Sequence, residues 1–166
     1  MPNLETLFVC AMNNRVLLAA DEMRDGSLHN LKEVTVSSCE DMESIFDFEG
    51  LKTGRVVLGQ LELVEICLMD KLMHIWRMVP RGIQGFHSLR KLKVQSCHKL
   101  RYLLSPLVAK MVVNLQHLEL LDCGMIEQVI RTEDEEKEEE EEDKIVFPQL
   151  RILNLGNLEN LKNVLY

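Results

Sequence analysis

The side chains best suited to covalent, metal or proton-transfer chemistry in this 166-residue chain are five cysteines and five histidines. Thiolates attack and ligate, and imidazoles titrate near neutrality. Cys39, Cys97 and Cys123 each stand eight residues after a leucine, at Leu31, Leu89 and Leu115. No CxxC or CxxH pair accompanies them, so a zinc site is not expected. Placed on neighbouring strands about 4.8 Å apart, Cys97 and Cys123 would fall within disulfide reach. The odd cysteine count and a reducing compartment argue for five reduced thiols, with the recurring ones packed as small apolar groups that are weak donors. His29, His74, His87, His98 and His117 are scattered, form no HExxH motif or facing pair, and most read as surface residues on repeat edges. The sequence offers no nucleophile and base at a working spacing, no metal constellation and no GxxxxGK[ST] phosphate loop. Neither catalysis nor a cofactor is expected.

The regular placement of the cysteines belongs to a larger repeat. Leu4, Leu31, Leu61, Leu89, Leu115 and Leu150 each open the pattern LxxLxL, with spacings of 27, 30, 28, 26 and 35. The next apolar column is Leu7, Val34, Val64, Leu92, Leu118 and Leu153, followed two residues later by Val9, Val36, Ile66, Val94, Leu120 and Leu155. Three residues on comes the column of Met12, Cys39, Met69, Cys97, Cys123 and Leu158, and later repeats close on an apolar pair such as Ile45-Phe46, Ile75-Trp76 or Leu103-Leu104. Alternation with period two predicts a short strand at each opening, apolar side chains inward. One repeat of some 27 residues cannot offset its own ordering entropy, so the six must stack. The predicted fold is an α/β-type leucine-rich-repeat solenoid over residues 1–166, with one parallel sheet of about six short strands on the concave face. Loops and short helical turns are expected on the convex face. Ser105-Pro106 predicts a capped helix start, while Pro80-Arg81-Gly82 and Asp25-Gly26-Ser27 predict turns.

The outward strand positions then form a surface. Glu33, Leu63, Glu65, Lys91, Lys93, His117 and Glu119 lie on it, mixing both charge signs with apolar groups, and are the candidate protein-binding residues. Glu65, Lys93 and Glu119 occupy one position in consecutive repeats, an alternating ladder that would neutralise itself or form half of a charge-complementary interface. Trp76, in the closing pair, reads as a core-edge aromatic.

The formal charge of -8 resides in residues 133–144, where ten acids meet two lysines. The rest is balanced, with no basic stripe for nucleic acid. The acidic run accounts for the 35-residue spacing and is expected to be a disordered insertion. With no apolar stretch of 18 residues, no signal-peptide pattern and no Asn-x-Ser/Thr acceptor, the chain is expected in the cytoplasm, without membrane insertion.

The segments NLKEVTVSSCEDMESIF, SLRKLKVQSCHKLRYLLSP and NLQHLELLDCGMIEQVI, with LMHIWRMVPRG and KIVFPQLRILNLGNLENLKNV, resemble the leucine-rich-repeat region of plant intracellular disease resistance proteins of the nucleotide-binding, coiled-coil class. The resemblance covers nearly the whole chain. It implies plant defence, with recognition of a pathogen effector or host factor and restraint of the nucleotide-binding module of a longer receptor. That module's phosphate loop is missing, and the chain starts and stops inside repeats, as expected of a fragment or truncated relative. The alternative is a substrate-recruiting repeat module of an F-box-type ubiquitin ligase, whose repeats also carry Cys after LxxLxL but continue with a Thr-Asp-x-Gly turn absent here.

Overall fold

A computed structural model of the chain describes residues 1–24, 26–52, 54, 56–131 and 147–164. The acidic run at 133–144, and with it the expectation of a disordered insertion, lies outside these residues, as does Asp25 of one expected turn. In chain order the elements are β1 (Thr6–Cys10), β2 (Val16–Ala19), α1 (Ala20–Arg24), β3 (Glu33–Ser37), β4 (Ser44–Asp47), β5 (Val56–Val57), β6 (Leu63–Cys67) and β7 (His74–Arg77). Then follow β8 (Gln84–Gly85), β9 (Lys91–Gln95), β10 (Tyr102–Leu104), α2 (Pro106–Met111), β11 (His117–Leu121), β12 (Gln128–Ile130) and β13 (Ile152–Gly156).

The main sheet has six parallel strands in the order β1-β3-β6-β9-β11-β13. Each starts two residues after one of the repeat-opening leucines. Pairing is in step throughout: Leu92 faces Val64 on one side and Leu118 on the other. Inward side chains therefore stack in rows, and in the middle repeats these rows are sealed, with Val34, Val64, Leu92 and Leu118 all 0 % exposed. The last strand, β13, is less covered, and its inward-facing Leu153 is 41 % exposed.

Every main strand ends in the same corner. The next residue, Ala11, Ser38, Leu68, Ser96, Asp122 or Asn157, has a φ between 51° and 56°. That left-handed setting turns the chain out of the sheet while its N–H still serves the ladder: Ser38 donates to Cys67 O at 3.2 Å and Ser96 to Leu121 O at 3.0 Å. The following column points inward, so Cys39, Cys97 and Cys123 are wholly buried. Each thiol donates to the carbonyl two residues back, at 3.3, 3.4 and 3.2 Å, bracing the corner from inside.

The return segments contain more strand than the apolar pairs alone announce. β2, β4 and β7 form a second parallel sheet, β10 pairs with β12, and β5 with β8. Ile45-Phe46 and Ile75-Trp76 lie in the second sheet and bury against the same core, Trp76 packing on Phe46 and Phe86 with ring centroids 6.1 and 6.0 Å away. Gly85 permits the β5–β8 approach, since a Cβ there would sit 2.2 Å from Val57 O. The helices are short. Ser105 caps α2 by accepting from Val108 N, Pro106 starts it, and it stops at Met111, ahead of the apolar residues that follow. The turn at Pro80 closes with Ile83 N donating to Pro80 O, Gly82 taking φ 80°.

Candidate functional site

The open face of the main sheet presents three rows of outward side chains set by strict register. The first row contains Glu33, Leu63, Lys91 and His117, and the second Glu65, Lys93 and Glu119. The structure thus brings all seven expected residues onto one surface at its centre. Glu33 and Lys91 are exposed, and the other five are half-buried between neighbours.

The side chains do not close the expected ladder. Although Lys93 is in register with Glu65 and Glu119, neither Lys91 nor Lys93 makes an ion pair or side-chain hydrogen bond among the described residues. Glu119 is engaged elsewhere: Asn154 Nδ2 donates to its Oε2 at 3.0 Å, and His117 Nε2 lies 3.7 Å from the same oxygen. That imidazole nitrogen is enclosed, with no hydrogen-bond partner among the described residues. Apolar side chains flank the charged centre, notably Phe8, 68 % exposed in the second row.

By contrast, three cations at the corners and on the second sheet, Arg15, Lys71 and Arg77, are matched across repeats. Arg15 Nη2 lies 2.7 Å from Glu43, Lys71 Nζ 2.6 Å from Asp41, and Arg77 Nη1 2.6 Å from Asp47 and 2.9 Å from Glu49. The Lys71 ammonium, by hydrogen bond and charge, holds the Asp41 carboxyl below its ordinary value. Beside them Tyr102 Oη and His74 Nδ1 are 3.3 Å apart, with the Arg131 guanidinium over the Tyr102 ring. Burial first, then the charges of Arg77 and Arg131, pushes the His74 pKa below its usual value. Periodicity did not reveal this cluster, because it joins residues from three return segments of unequal length.

All five cysteines are free thiols. The Cys97 thiol is held well above the usual range by its hydrogen-bonded contact with Cys123 and by burial, so it is a poor nucleophile. Among the described residues no group of three or more His, Cys, Asp or Glu is placed to hold a metal ion, and no helix is long and apolar enough to cross a membrane.

An in-register parallel sheet carrying one LxxLxL strand per turn defines a leucine-rich-repeat protein, a fold that serves protein interaction. Within that class the family model for plant disease resistance protein RPS2-like leucine-rich repeats matches residues 1–124 and 110–166, and the chain belongs to this family. Comparisons with curated proteins and with solved structures found no match.

Proposed function

We propose that this repeat unit binds protein through the open face of its main sheet, recognising a pathogen effector or a host factor. Within a receptor that carries a nucleotide-binding module, it would also restrain that module. Family membership favours this reading over a substrate-recruiting module of a ubiquitin ligase. The observation that carries it is the pair Lys91 and Lys93, two cations at the centre of the face with no partner among the described residues, whereas Arg15, Lys71 and Arg77 away from the face are matched. Central, shielded contacts carry most of an interface's energy.

The test reverses both charges, Lys91→Glu and Lys93→Glu, and measures binding to the separately expressed nucleotide-binding module of a receptor of this family. Affinity should fall about tenfold at low ionic strength, less at high salt, with the circular dichroism spectrum unchanged. Unchanged affinity for a module that binds the wild type, or an unfolded double variant, would overturn the assignment of the face.

A further inference from the structure

The charges on the open face and its N-terminal rim are sorted by sign along the array. The residue just before each main strand extends the ladder by one step: Glu62 N donates to Lys32 O, Arg90 N to Glu62 O, and Arg151 N to Gln116 O. These rim residues therefore share the register of the rows beside them. Over β1, β3 and β6 the rim and face carry the carboxylates Glu5, Glu33, Glu62 and Glu65 against the single cation Lys32, a net charge of -3. Over β9, β11 and β13 they carry Arg90, Lys91, Lys93 and Arg151 against the single carboxylate Glu119, a net +3. The sign changes between β6 and β9.

Internal pairing leaves this division largely intact. Lys32 is bound by Glu5 at 3.1 Å and Glu119 is held by Asn154. Among the described residues Glu33, Glu62 and Glu65 on one side, and Arg90, Lys91 and Lys93 on the other, make no ion pair. Neighbouring strands are about 4.8 Å apart, so β3 and β11, the middle strands of the two halves, are about 14 Å apart, beyond the roughly 8–10 Å over which salt screens a charge. A partner in contact feels two separate fields, whereas one at a distance feels almost none because the halves cancel.

We propose that the face takes a two-signed segment lying across the strands, its Lys or Arg side chains against β3 and β6 and its Asp or Glu side chains against β9 and the β13 rim. The inference rests on the open face being the binding surface, and adds what the partner must look like. From β3 to β13 is about 19 Å, which about six extended residues cover. Charge complementarity of this kind fixes direction and rejects partners of a single sign, which meet repulsion from one half.

The probes are labelled peptides of about eight residues: one with three lysines at one end and three glutamates at the other, its isomer with the same charges alternating, and two of a single sign. Fluorescence anisotropy at low ionic strength should show the block peptide binding about tenfold tighter than the alternating isomer and tighter than either single-sign peptide. Glu33→Lys with Glu62→Lys and Glu65→Lys should remove that preference, as should Arg90→Glu with Lys91→Glu and Lys93→Glu. Combining all six should restore it, because the peptide can bind in the opposite direction. Neutral versions, Glu33→Gln with Glu65→Gln and Lys91→Gln with Lys93→Gln, should lower the preference in the same sense and serve wherever a reversal variant fails to fold. Equal binding of block and alternating peptides, or no recovery in a folded six-fold variant, overturns the two-signed partner. If those results came while Lys91 and Lys93 reversal still weakened the nucleotide-binding module, the face would stand as an interface and only the charge order would fall. A block preference with no response from the module would do the reverse.

Discussion

At the scale of single residues, the left-handed corner decides more than the residue types occupying it. Residues other than glycine, asparagine and aspartate lose about 1–2 kcal/mol in that conformation, and Leu68 adopts it at φ 56° while 56 % exposed. Leu68→Asn should therefore stabilise the protein by about 1 kcal/mol, seen as a higher urea midpoint at unchanged slope; a lower midpoint would show that Leu68 packs more than its exposure implies. His74 gives a pH effect whose sign follows from its lowered pKa. The folded state holds its imidazole neutral where the unfolded chain, near the ordinary value of 6.5, takes up a proton. Stability should thus fall as pH drops below about 6.5, and less steeply in His74→Gln; parallel melting curves for the two proteins between pH 7 and 5 would refute the assignment.

The elements show how far a single sequence can be read. All six main strands and their inward rows were legible, because alternation over LxxLxL leaves one register that buries the leucines. The closing pairs were visible as apolar columns, yet two or three residues are too few to display a period, so β4, β7, β10 and β12 did not announce themselves as strands. Nothing in Val56-Val57 or Gln84-Gly85 marked β5 and β8. For the candidate site, position could be derived and partnership could not. Register placed Lys93 between Glu65 and Glu119, but which carboxylate a flexible ammonium meets depends on rotamers and on a competitor, Asn154, from another repeat. Where a strand is fully enclosed the energetics are plain. Leu92, 0 % exposed between Val64 and Leu118, should cost about 2–5 kcal/mol when cut to alanine, measured by chemical denaturation; a loss below 1 kcal/mol would mean the rows collapse around the gap.

On the scale of the whole molecule, stacking is indifferent to what is inserted between repeats. β11 and β13 pair over all five positions, from His117↔Ile152 to Leu121↔Gly156, although the link between them contains the acidic run. Replacing residues 133–144 by a short Gly-Ser linker should leave the melting temperature within a few degrees, since loop length changes closure entropy only slowly. A large loss would show that the run packs on the body.

The nearest-neighbour order of the main sheet also has a mechanical meaning. Each strand is bonded only to the strands before and after it, so a force applied along the stacking direction is not shared by the array but borne by one junction at a time. Stretched by its ends, the molecule should lengthen in discrete steps of about one repeat, beginning at β13, where the inward-facing Leu153 is 41 % exposed. It would behave as a chain of weak links in series, extending a turn at a time under a load that would rupture a globular core in a single event.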